Sequence, residues 1–142
     1  MTETGTAWIE NLIEPSNKII LSRITWVETL SAFARLHREN KIDENAFFQT
    51  IQLFKTDWES QYQIVEIETT DFEKAGELVQ KFPLRAYDSI QLASALKVYT
   101  AFSQIQITFT FVSADERLIN VAQAESLNVE NLNHHLRFAH FL

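Results

Sequence analysis

The sequence predicts an α/β domain built on a mainly parallel sheet, and three observations predict it. Short apolar or β-branched runs alternate with longer segments of helical periodicity, the order that lays successive strands side by side in parallel. The 142 residues include only 2 Gly and 2 Pro, so long helices are seldom interrupted. Hydrophobic residues make up 46% and charged residues 22%, the balance of a folded chain with a core rather than a disordered one. The length suits one domain over residues 1–142, and no repeat, low-complexity segment or linker divides it.

The elements follow in order. Residues 4–14 read as a helix, with Trp8, Ile9, Leu12 and Ile13 on one side and Pro15 as its stop. Lys18–Ser22 is a short buried strand, and a helix from Ile24 to Glu39 follows at once. Asp43 caps the next helix, whose Phe47, Ile51, Phe54 and Trp58 recur at i, i+4, i+7, i+11 and form an apolar face. Ile64–Glu68 alternates and reads as a strand. Thr70 with Glu73 offers a capping box for a helix that ends before Pro83. A helix carrying Asp88 comes next, and Ile105–Val112 is then the strongest strand signal in the chain. Ser113 with Glu116 offers a second capping box, opening a helix through Ala124. Leu127–Leu132 is a last strand, and Leu136–Leu142 ends the chain as a helical or frayed tail.

Charge and composition narrow the function. A net charge of −7 argues against non-specific binding to nucleic acid, though a bound cation reverses the field locally. The absence of cysteine excludes disulfides and thiolate metal sites. The first residues lack the pattern of a signal peptide, and no apolar run reaches the length of a bilayer span. The expected location is the cytoplasm, with no membrane partner.

Three acids stand out by position. Asp88, Leu92, Ala95, Leu96 and Tyr99 share one helix face, so a carboxylate begins a stripe that is otherwise apolar. Asp115 follows the strong strand at its carboxyl end, where ligand sites gather in open α/β sheets. Glu28 lies in a helix entered directly from the Lys18–Ser22 strand. Converging at one sheet edge, such hard oxygen donors suit Mg²⁺ or Mn²⁺. Each acid also has an ordinary reading: Asp88 and Asp115 as first-turn acids favoured by the helix dipole, Glu28 as an exposed helix glutamate. Arg23, Arg85, Lys97 and Arg117 are cations that either meet phosphates near an acidic site or pair with local acids. His134, His135 and His140 raise a metal question, for which a solvated tail is the plainer answer.

The ordered runs Ser22-Arg23-Ile24-Thr25-Trp26-Val27-Glu28, Arg85-Ala86-Tyr87-Asp88-Ser89-Ile90-Gln91-Leu92-Ala93 and Phe111-Val112-Ser113-Ala114-Asp115-Glu116-Arg117-Leu118 resemble the PIN-domain family, closest in style to VapC-type toxins of toxin–antitoxin pairs. The resemblance runs over nearly the whole chain. It implies a three-layer α/β/α fold and a metal-dependent ribonuclease that uses four acids. By motif, Glu28, Asp88 and Asp115 correspond to three of these, and Ser113 to the hydroxyl residue of the last motif. Asp88 and Asp115 would then hold Mg²⁺ or Mn²⁺, with Glu28 positioning the ion or its water. Arg85 and Arg117 are the nearest candidates for RNA contact. The implied partners are an RNA substrate, a cognate antitoxin protein and a second copy in a homodimer.

One family feature has no counterpart. The family opens with a short apolar strand, central in the sheet, that ends in its first acid, and this chain opens at Glu3-Thr4-Gly5-Thr6-Ala7-Trp8. Removing a central strand leaves two neighbours with unpaired backbone groups. Three outcomes are expected: the flanking strands close together, another chain supplies the pairing, or the natural protein begins upstream of Met1. A PIN remnant acting as a non-catalytic interaction module is therefore the alternative to a nuclease. A response-regulator-like domain ranks below both, because no phosphate-accepting Asp and later Lys follow suitable strands.

Overall fold

The computed structural model describes residues 18–135. The order is β1 (Ile19–Ser22), α1 (Thr25–Arg38), α2 (Glu44–Ser60), β2 (Tyr62–Val65), α3 (Thr69–Lys81), α4 (Ala86–Gln104), β3 (Thr110–Ser113), α5 (Glu116–Ala124), β4 (Asn128–Asn131) and α6 (Leu132–His135). This is a mostly helical α/β fold with short parallel strands. The helix expected over residues 4–14 and the Leu136–Leu142 tail lie outside the described residues.

The strands form two parallel pairs instead of one sheet. β1 lies beside β2 with Ile19 opposite Tyr62, and β3 lies beside β4 with Thr110 opposite Asn128. β1 and β3 do not pair with each other, so the expected closing of flanking strands does not occur. Among the described residues no strand lies between the two pairs.

Two strands differ from their expected bounds for visible reasons. β2 ends at Val65 rather than Glu68 because the chain leaves the ladder there. The Glu66 carbonyl accepts from Lys97 Nζ at 2.8 Å, and the Glu68 amide donates to Asp71 Oδ2 at 2.9 Å. The cap of α3 is thus built from Glu68 and Asp71, not from Thr70 and Glu73. β3 takes only the last part of the Ile105–Val112 run, because α4 continues to Gln104 and then closes in a Schellman turn. Gln106 adopts φ 59°, the Gln106 amide donates to the Ser103 carbonyl at 3.2 Å, and the Ile107 amide donates to Phe102 at 2.9 Å.

Other elements match their patterns. Asp43 caps α2, its Oδ1 accepting from the Ala46 amide at 2.7 Å. The Phe54 and Trp58 face of α2 packs on Trp26 of α1, with ring centroids 5.5 and 5.4 Å from it, and Phe47 stacks on His37 at 4.5 Å.

The core is lopsided. Leu92, Ala93 and Ala95 of α4 pack with Ala75 and Leu78 of α3, with Leu118, Val121 and Ala122 of α5, and with Leu127. Phe109, Phe111 and Val129 close the same cluster from the β3–β4 side. Leu92 through Ala95 are four consecutive buried residues, so α4 is covered on all sides and is the central helix. On the other side, α1 has no buried residue and α2 has only Trp58. No helix among the described residues is long and apolar enough to cross a membrane.

Candidate active site

The site forms where β1 and β3 end and α4 begins. Asp88 is the third residue of α4 and lies half-buried in its first turn. No side-chain capping bond is made at the N-cap Arg85, and Ser89 Oγ in the same turn donates to the Ala86 carbonyl at 2.6 Å. The Asp88 pKa is raised, first by burial and then by the charge of Asp115, while Arg85 and Arg117 oppose the rise.

Glu28 reaches the same place from α1. Its pKa is raised, chiefly by burial and further by Asp88, while a hydrogen bond from Gln91 pulls the other way. Gln91 Nε2 donates to Glu28 Oε2 at 3.3 Å and to Thr25 Oγ1 at 2.8 Å. The second oxygen, Glu28 Oε1, is buried without a partner. A buried carboxylate oxygen in that state is expensive unless something meets it.

Asp115 follows β3 and is the N-cap of α5. Its Oδ1 accepts from the Arg117 and Leu118 amides at 2.9 and 3.2 Å, so one oxygen is spent on the helix. This corrects the expected capping box of Ser113 with Glu116. Ser113 Oγ accepts from the Asp115 amide at 3.0 Å and shapes the turn that presents Asp115. Asn133 Nδ2 donates to the Ala114 carbonyl at 3.0 Å and ties α6 to that turn.

The cations divide in two. Arg23 is paired with Glu66, and Lys97 with Asp71, so both serve local acids. Arg85 and Arg117 are the cations whose charge acts on Asp88. The Arg85 guanidinium is held above its usual value first by its hydrogen bond to the Tyr87 hydroxyl at 2.6 Å, then by Tyr87 charge, Asp88 and Asp115. His134 and His135 fall in α6 with side chains outside the described part, and His140 lies outside the described residues.

Gln91 and Thr25 belong to the site although the sequence reading assigned them no role. The available signal was spacing, since Gln91 lies three residues after Asp88 on the same side of α4. Among the described residues no group of three or more His, Asp or Glu is gathered tightly enough to hold one ion. The donor set still fits a hard cation, because Mg²⁺ commonly takes one or two protein carboxylates and keeps several waters. An apolar cavity of about 210 Å³ between the β1–β2 pair and the later turns of α4 lies away from these acids.

A family model described as PIN domain matches residues 2–124. The chain belongs to the PIN domain family. PIN domains are a nuclease-type family that generally uses divalent metal ions. No curated protein matches the chain.

Proposed function

We propose that this PIN domain is a metal-dependent endoribonuclease of the VapC type. The observation that supports the reading best is the electrostatic coupling of Glu28 to Asp88 and of Asp88 to Asp115. Acids from three separate motifs are linked in a chain of charge, Asp115 raising the proton affinity of Asp88 and Asp88 that of Glu28. Asp88 and the free oxygen of Asp115 would hold Mg²⁺ or Mn²⁺, and Glu28, steadied by Gln91 and Thr25, would position a water. The bound ion would supply activation of that water and neutralise charge on a phosphodiester. Arg85 and Arg117 would meet flanking phosphates, and Ser113, which accepts from the Asp115 amide, would hold the turn that presents Asp115. In a VapC-type role an antitoxin protein restrains the enzyme, which works as a homodimer in the cytoplasm.

The test is calorimetric titration of Mn²⁺ into the wild-type chain and Asp88→Asn, with cleavage of a single-stranded RNA followed in parallel. Binding and cleavage that both disappear in Asp88→Asn support the reading. Equal Mn²⁺ binding by the two chains contradicts it. A second reading, a PIN remnant acting as an interaction module, is favoured by one observation: the described acids do not close to a three-donor cluster. That reading expects no Mn²⁺ binding dependent on Asp88.

A further inference from the structure

The start of α4 passes from solvent into the protein within one turn. Arg85, Ala86 and Tyr87 are exposed, Asp88 is half-buried and Ser89 is buried. Tyr87 thus stands at the rim of the site, one residue before the acid that the nuclease reading gives to the ion. The other two tyrosines, Tyr62 and Tyr99, are half-buried, the usual position of a ring with one polar end.

An exposed ring alone says little, because single apolar side chains are common on protein surfaces. Tyr87 differs in being held there. Arg85 Nη1 donates to its hydroxyl at 2.6 Å, while the side chain is 40% exposed and stacks on no other ring among the described residues. A ring already fixed loses little freedom when a ligand lies on it. The charge of the same guanidinium interacts with Asp88 and Asp115, so the hydroxyl end of the ring lies toward the acids. Arg85 spends one N–H on Tyr87 and keeps the rest for a phosphate.

A fixed ring beside a cation matches the two parts of one nucleotide, its base and its phosphate. In a duplex the base faces are covered by their neighbours, whereas an unpaired base can be turned out onto a ring. The net charge of −7 leaves little affinity to general attraction for phosphates, which gives a stacking contact more of the binding to supply.

We propose that Tyr87 is the platform on which one unpaired base of the RNA substrate stacks, beside the phosphate that meets Arg85, so that the site takes single-stranded RNA in preference to duplex. The proposal rests on the nuclease reading for its substrate and on the Arg85–Tyr87 pair for its geometry. It expects little preference among bases, since every base has a face to stack.

The test is equilibrium binding, by fluorescence anisotropy at several salt concentrations, of a short single-stranded RNA and of a blunt duplex of the same sequence. The full chain carries Asp88→Asn throughout, so that the strand is not cut, and is compared with chains that add Tyr87→Ala, Tyr87→Phe or Arg85→Ala. Tyr87→Ala is expected to weaken binding of the single strand about 10-fold without altering the salt slope, and Tyr87→Phe, which keeps the ring, by less than about 3-fold. Arg85→Ala is expected to reduce the salt slope by about one. A Tyr87→Ala loss that is equal for duplex and single strand, or that comes with the reduced slope of Arg85→Ala, overturns the proposal, because the ring would then serve only to hold the guanidinium. Equal single-strand binding with and without Tyr87→Ala also overturns it and leaves the ring to a protein partner. So does a lack of single-strand binding by the Asp88→Asn chain. Failure of the nuclease reading is read separately, in the Mn²⁺ titration of Asp88→Asn against wild type, in which Tyr87 takes no part.

Discussion

Asp88 holds its charge in a place that disfavours it, and that has a consequence for pH. Asp88 and Glu28 both have folded-state pKa values above their ordinary ones, mainly through burial. The native state therefore binds their protons more tightly than the unfolded chain. The stability they contribute is complete below the unfolded carboxylate range, near about pH 4, and is lost as pH rises through the raised folded values. In metal-free buffer, this part of the stability should fall as pH rises through that window. Asp88→Asn should flatten the fall and stabilise the protein at pH 7 by at most about 1 kcal/mol, because the site is partly open and screened by water. Urea midpoints across pH check this, and an unaltered slope in the variant would contradict it. Gln91 acts in the opposite sense on Glu28. Gln91→Leu removes the donor that favours the carboxylate, so the Glu28 pKa should climb further. Carbon-detected NMR titration of the Glu28 carboxyl reads this directly, and a fall would show that the amide does not support the charge.

At the scale of elements, three helices end in the same way without glycine. Asn40, Gln106 and Ser126 have φ of 58°, 59° and 73°, each the residue after the C-cap of a helix that closes in a Schellman turn. A left-handed residue with a Cβ is strained there, and glycine is not. Ser126→Gly and Gln106→Gly should each stabilise by about 1 kcal/mol, raising Tm by about 3 °C in a domain of this size. A lowered Tm in either would show that the side chain does more than occupy the turn. These turns also mark what the sequence could convey. Asp43 as a cap and the Phe54–Trp58 stripe were legible, because capping and periodicity are local signals. The extent of β3 was not, because Gln106 carries no mark of a left-handed turn and Ile105 and Ile107 look like strand residues while lying 63% and 50% exposed. Glu28, Asp88 and Asp115 were legible as candidates through their positions after strands and at a helix start. Their support was not, since Gln91 meets Thr25 only after β1 and α4 have packed. The swap of α3's cap to Asp71 has the same cause: Lys97, 26 residues away, pairs with that carboxylate. Asp71→Ala removes both cap and ion pair and should cost about 2 kcal/mol in urea unfolding, and a loss under about 0.5 kcal/mol would mean that neither matters.

The described residues form an uneven core, and unfolding should show it. The contiguous buried cluster begins at Ala75 and lies wholly in α3, α4, α5 and the adjoining Leu127. Among the described residues before Ala75 the buried ones are Ser22, Trp58 and Asp71, and the ring contacts between α1 and α2 run among Trp26, Phe33, Phe54 and Trp58. Local stability follows buried apolar contact, so the α1–α2 hairpin should open at lower denaturant than α4 and α5. The tryptophans make this measurable. Trp26 and Trp58 both sit in the weaker half, and Trp8→Phe removes the remaining one. Fluorescence of Trp8→Phe in urea then reports α1 and α2, while far-ultraviolet circular dichroism also reports α3, α4 and α5. The fluorescence midpoint should come first, and the two curves should not coincide. Coincident curves would mean that Ser22–Ser94 and the β1–β2 pair couple the halves into one cooperative unit.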